Sequence, residues 1–133
     1  VTTHQQLLEA VRQPAITAAA AASVPFVIDN GPVPDFGSLW MRVVTAVDGC
    51  AAVNNGDRYR WTGTLLADVY APREQGDAAL LAFVGSLATA YRGLRIASPV
   101  VSVQQVTIAG SSVYGDGWSG RTVRVSWQGD TPP

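Results

Sequence analysis

An α+β single domain is the fold class this sequence predicts: a mainly antiparallel or mixed sheet of four to five strands, with two helices packed on one face. Two segments carry apolar residues at helical spacing, and several more carry them in alternation. The strand-like runs come in groups with hairpin-length connections rather than alternating one by one with helices, which is the α+β pattern. The 133 residues suit one core over 1–133, large enough to hold without a disulfide or a metal. Only 14% of the residues are charged and 47% are hydrophobic, which excludes disorder, and a formal net charge of −1 provides no field to hold a nucleic-acid backbone. All nine basic residues are arginines, a usage explained either by a GC-rich coding sequence or by arginine's better performance at interfaces.

The first element is a helix over about 3–22. Thr2 and Thr3 each stand three residues before a glutamine (Gln5, Gln6), the spacing of a capping box. Leu7, Leu8 and Val11 form one apolar stripe, with Gln5, Glu9 and Arg12 facing away. Pro14 predicts a kink or restart, the tract Ala18–Ala22 has high helix propensity, and Ser23 with Pro25 ends the helix. Val24–Ile28 reads as a short strand closed by the turn residues Asp29 to Gly37. Leu39–Val47 reads as a strand with Met41, Val43 and Thr45 on one face and Trp40, Arg42 and Val44 on the other. Asp48–Asp57 reads as the connection to a long strand over Tyr59–Tyr70, and Ala71–Gly76 ends that strand.

Asp77 is the N-cap of a second helix over 77–92, where Leu80, Leu81, Val84, Leu87 and Tyr91 recur at helical spacing and Gly93 provides the stop. The alternation at Val100–Ala109 predicts a strand, Gly110–Gly120 a glycine-serine loop, and Arg121–Trp127 a closing strand. The end, 128–133, reads as a flexible tail. The aromatics Trp40, Tyr59, Trp61, Tyr70 and Trp127 exceed what one two-helix layer readily covers, so part of the second sheet face is expected to meet another protein.

Catalytic chemistry finds little support in these residues. The single His4 falls in the first helical turn and reads as exposed, and the single Cys50 reads as a small, semi-buried hydrophobe with no disulfide partner. One His and one Cys make no zinc cluster, and the aspartates stand singly rather than at ligand spacing, so no metal or cofactor is expected. Ser119 in Gly117-Trp118-Ser119-Gly120 lacks the second glycine of a nucleophile elbow, because position 121 is Arg, and reads as a hairpin turn. Gly110–Gly120 lacks the Gly-Lys-Ser/Thr ending of a phosphate loop. Asp48 or Asp57 beside Arg58 and Arg60 reads as a solvated loop. Val1–Glu9 has no basic region followed by an apolar run, and Ala18–Val27 is interrupted and short of a membrane span, so the expectation is a soluble, cytosol-made, non-enzymatic protein.

The order of motifs carries a resemblance. The run Asn30-x-Pro32-x-Pro34, then Leu39-Trp40-Met41-Arg42-Val43-Val44, then Arg60 through Tyr70-Ala71-Pro72 to Gly76, resembles the tail terminator (tail completion) proteins of long-tailed bacteriophages, of the lambda tail terminator kind. The likeness continues through the second helix and the closing Trp118-to-Trp127 strand. It implies a structural virion protein that assembles with itself as a ring, typically a hexamer. Such a ring caps the tail tube, ends its elongation and offers a surface for head-tail joining. The implied partners are the major tail tube protein and a head-tail connector protein, with DNA passing through the lumen without specific binding. The implied place is the head-proximal end of the virion tail, after assembly in the host cytoplasm.

On that basis the candidate subunit contacts are Trp40, Arg42, Tyr59, Arg60, Trp61 and Arg73. The candidate tube- or connector-docking loop residues are Asn54, Asn55, Asp57, Tyr114, Asp116 and Trp118. The alternatives are another head-tail connector subunit, or a small ligand-binding or enzymatic α+β domain that uses the tryptophan-rich sheet face as a pocket.

Overall fold

A computed structural model describes residues 3–29, 31, 37–53, 56, 58–75, 77–97, 99–110 and 117–132. The elements are α1 (His4–Ala21), β1 (Phe26–Ile28), β2 (Trp40–Val53), β3 (Arg58–Pro72), α2 (Ala78–Tyr91), β4 (Arg95–Ile96), β5 (Val101–Ala109) and β6 (Trp118–Thr131). One curled sheet runs in the order β1-β2-β3-β6-β5-β4. Its β1–β2 pairing is parallel and the others are antiparallel, so the α+β expectation holds with six strands instead of four to five.

Both helices lie on one face. Leu7, Val11, Ala15 and Ala19 of α1 and Leu80, Phe83, Val84, Leu87 and Tyr91 of α2 pack on Met41, Val43, Leu65, Ala67, Val69, Val123, Val125 and Trp127 of the sheet. Two glycines admit this layer. A side chain at Gly63 would collide with the Ala46 carbonyl and the Trp127 indole, and one at Gly129 with Leu7. The backbone is therefore bare where a tryptophan crosses it and where α1 is seated. Val27, Trp40 and Tyr70, with Trp118 against them, form a small second cluster on the other face.

Local signals set most helix ends. Gln6 N–H donates to Thr3 Oγ1 and Thr3 N–H donates to Gln6 Oε1, so the capping box sits on Thr3. Gly93 stops α2 at φ +67°, and Ser23, at φ +56°, turns the chain out of α1. Asp77 differs from expectation: its backbone is helical and its side chain makes no cap bond.

The kink expected at Pro14 does not divide α1, which runs through it as one 18-residue helix. The Tyr91 hydroxyl repairs the hydrogen-bond ladder beside the proline. It donates to the Val11 carbonyl at 2.6 Å and accepts from the Ala15 N–H at 3.2 Å, so a side chain from α2 stands in for the i→i−4 bond between residues 15 and 11.

Three strands outrun their expected limits. β2 continues through Asp48–Val53, read from sequence as a connection, because a bulge between Val47 and Gly49 absorbs Asp48. The Asp48 carboxylate accepts from Thr64 Oγ1 at 2.9 Å. β6 begins at Trp118, so Ser119 lies in a strand opposite Ala71 rather than in a hairpin turn. The expected flexible tail is corrected over 128–131. Gln128–Thr131 pair with Tyr59–Thr62 of β3, Thr131 is buried, and Thr131 Oγ1 accepts from Trp61 Nε1 at 2.8 Å. A second bulge, between Val103 and Gln105, changes the alternation in β5 and turns Val106 and Ile108 to the face of Val125 and Val123. The turn residues Asn30, Pro32, Pro34 and Asp35, together with Gly76 and 111–116, lie outside the described residues.

Burial raises the affinity of the Tyr91 phenol for its proton well above the ordinary tyrosine range, an effect the Ala15 amide partly opposes. The folded chain thus holds this proton more tightly than the unfolded chain. Its contribution is complete below about pH 10 and is lost as the pH rises further. Tyr91→Phe should cost about 1–3 kcal/mol in urea unfolding, and less in a Pro14→Ala background where the regular ladder can close. Above about pH 10 the wild type should lose stability with a slope that Tyr91→Phe reduces. An equal cost with and without Pro14 would detach Tyr91 from the proline. In hydrogen exchange, the Gln128–Thr131 amides that bond to β3 should be protected like those of the central strands; exchange at the rate of a frayed end would contradict the pairing.

Candidate functional site

The sheet alternation separates the candidate contact residues instead of gathering them. Trp40 is fully buried and its ring lies 4.9 Å from that of Tyr70. It is a core residue of the helix-free face, which corrects its reading as a subunit contact. Arg42, on the same face, sets its guanidinium 5.9 Å from the Trp40 ring centroid, a cation–π contact, and its Nε is buried without a hydrogen-bond partner among the described residues. Asp68 stands directly opposite Arg42 in the β2–β3 register and accepts from Thr122 Oγ1.

Arg60 lies on that face but toward the other end of the sheet, beside the β2–β3 hairpin. Its guanidinium grips Asp130 with two bonds, Nε to Oδ1 at 3.0 Å and Nη2 to Oδ2 at 3.2 Å, while Arg58 Nε lies 3.3 Å from Asp130 Oδ2. The hydrogen bond to Asp130, and then its negative charge, make Arg60 hold its proton more firmly still. Both arginines are partly in water, so this cluster aligns the ends of β3 and β6 more than it stabilises the fold.

Trp61 points to the opposite face. Its indole packs on the main core and stacks on His4 with centroids 4.4 Å apart. His4 is exposed, as expected, and it covers a tryptophan of β3, a contact between remote positions that no local pattern signals. Tyr59 is 40% exposed and remains available for contact. Arg73 is exposed; its Nε donates to the Trp118 carbonyl at 3.0 Å and its N–H to the Gly117 carbonyl, joining the turn after β3 to the start of β6. Trp118 is half-buried against Trp40 and Tyr70, at the base of the β5–β6 hairpin and not at its tip. Asn54, Asn55, Asp57, Tyr114 and Asp116 lie outside the described residues.

Cys50 is exposed on β2, not semi-buried. Where the alternative reading puts a tryptophan-lined pocket, Trp40 and Tyr70 pack on each other and both are buried. An apolar cleft of about 430 Å³ lies instead on the helix side, between Ala10, Pro14, Ala18 and Ala21 of α1 and Ala90 and Ile96. No group of three or more His, Cys, Asp or Glu residues is placed to hold a metal among the described residues, and no described helix is long and apolar enough to cross a membrane.

Among the described residues the sheet has two long outer edges, on β2 and on β5. β1 covers β2 only at Met41–Val43, and β4 covers β5 only at Val101–Ser102. A signal for these edges stood in the sequence: proline is absent from both 40–53 and 101–109, and charge is nearly so.

No family model matches the chain, and no curated protein matches it. A solved structure of a protein without a functional name is similar to it, with a TM-score of 0.68 and 16% sequence identity over 99% of this chain and 99% of that chain. At that identity the likeness shows the fold alone.

Trp40→Ala should cost about 3–5 kcal/mol of stability in urea unfolding, as removal of a core aromatic does, whereas Tyr59→Ala should stay within about 0.5–1 kcal/mol. Equal and small losses at both positions would put Trp40 back among the surface residues.

Proposed function

We propose that this chain is a structural subunit of the tail terminator kind, a ring-forming protein that caps a phage tail tube and presents a surface for head-tail joining. The observation that carries this reading is the position of the segments that bear the resemblance. Trp40–Val44 and Arg60–Pro72 lie side by side as the β2–β3 hairpin, at the middle of the sheet. The two hairpins also leave the sheet at opposite ends. The β2–β3 connection follows the rung Val53–Arg58, near Thr131, and the β5–β6 connection precedes Trp118, opposite Pro72. A subunit with contact loops at both poles suits a ring that touches a tube on one side and a connector on the other.

The implied mechanism is geometric and needs no reacting group. A head-to-tail ring uses two different complementary patches per subunit and closes when the rotation per subunit divides the circle. The expected partners are further copies of this chain, the major tail tube protein and a head-tail connector protein. DNA would cross the lumen without being held, in keeping with a net charge of −1.

Purified protein, alone or mixed with tube protein, should form rings visible by native mass spectrometry and negative-stain imaging. Added to polymerising tube protein, it should bind tube ends and shorten the tubes. A strict monomer that neither binds tube ends nor alters tube length would overturn the reading.

A further inference from the structure

The two edges of the sheet are open over long stretches. On β2 the last rung with β1 is Ile28–Val43, and the Thr45 N–H is taken by Asp29 Oδ1, which leaves Ala46–Val53 as a bare edge among the described residues. On β5 the rungs with β4 end at Ser102, and the Val103 N–H donates to the Leu94 carbonyl, which leaves Gln104–Ala109 bare among the described residues.

Proteins that stay monomeric protect such edges with lysine, proline, inward-pointing charge or bulges; of these devices each edge strand here carries one bulge. Neither stretch holds lysine or proline, and their single charge, Asp48, is bonded to Thr64. Small residues line the first edge (Ala46, Gly49, Ala51, Ala52), and each edge shows an exposed aliphatic side chain, Val47 at 36% and Ile108 at 46%.

Strand direction identifies the occupant. β2 and β6 run one way and β3 and β5 the other, because each neighbouring pair is antiparallel. A second copy rotated about an axis inclined to the strands brings its β5 beside β2 in antiparallel sense, so the alternation passes unbroken from one copy to the next. One repeated contact then covers both kinds of edge, while pairing of β2 with β2 leaves every β5 edge bare. The open stretches are staggered along the strands: Val47 is level with Gly63, whereas Thr107 is level with Arg124 and hence Leu66. A closed sheet of tilted strands requires such a stagger.

We propose that copies of this chain assemble head to tail by antiparallel pairing of the β5 edge, Gln104–Ala109, of one copy with the β2 edge, Ala46–Val53, of the next. Closure of this continuous sheet into a ring rests on the function proposed above; the edge contact itself does not.

The test uses Val47→Lys and Ile108→Lys, each of which places a charge on one edge, with folding checked by circular dichroism. In native mass spectrometry the wild type should form assemblies larger than a dimer, each variant alone should be monomeric, and an equal mixture should yield heterodimers and nothing larger. Dimers of Ile108→Lys alone, or assemblies of wild-type size from either variant, overturn the proposal. Disulfide trapping keeps it testable if a lysine variant fails to fold. Cys50 and Ile108 lie on the helix-bearing face, opposite Trp61 and Val123. Ile108→Cys should therefore give an oxidised ladder beyond dimers that Cys50→Ser abolishes, and its absence overturns the contact. Wild-type rings that ignore tube ends uphold the edge contact and overturn the terminator reading. Tube capping by variants that still form rings does the reverse.

Discussion

The Tyr91 hydroxyl, set into the gap beside Pro14, is the constraint on which the helical layer depends. A proline inside a helix removes one hydrogen bond and crowds the preceding turn. By donating a hydrogen bond to the Val11 carbonyl and accepting one from the Ala15 N–H, Tyr91 lets α1 continue and fastens it to the last turn of α2. Because α1 is held there, its N-terminal half reaches across the sheet, where Leu7 occupies the space above Gly129 and His4 covers Trp61. The phenol is deeply buried, so its two polar partners are also what make its burial tolerable.

One-sided covering of the sheet explains how the remaining surface is used. The helices account for the face of Met41, Leu65 and Val125. On the other face, only the end near Trp40, Tyr70 and Trp118 is apolar enough to build a second small core. The rest of that face is polar, held by side-chain bonds such as Thr64 to Asp48, Thr122 to Asp68 and Arg60 to Asp130. The surplus of aromatics over what two helices cover is therefore resolved largely within the chain. Among the described residues the backbone edges, more than the aromatic side chains, are where the domain remains unsatisfied, and the proposed strand contact draws on that feature.

Much of the fold was legible in local chemistry. The capping box at Thr3, the glycine stop at Gly93 and the alternation of Met41 and Val43 against Trp40 and Arg42 depend on neighbours within a few residues, so the sequence displays them directly. The strand ends were not legible, because their pairing is remote. Asp48 reads as a loop residue until Thr64 donates to its carboxylate at a bulge, and Gln128–Thr131 read as a loose tail until β3 supplies Trp61 and Arg60 as partners. The candidate contacts fared worse for the same reason. Trp40 and Trp61 have the same composition signal, yet one is sealed against Tyr70 and the other lies beneath His4 on the opposite face.

By itself the sequence determined the class of the domain, the two helices with the capping box of the first and the glycine stop of the second, and the faces of the central strands, since periodicity and capping are properties of short windows. It also determined a low charge and the absence of lysine, which left the edges without their usual protection. Only the tertiary structure decided where the strands stop, which aromatics are hidden and which backbone stays bare. Each of these is settled by partners tens of residues away, through bulges that change the alternation and through a hydroxyl placed in another helix's ladder.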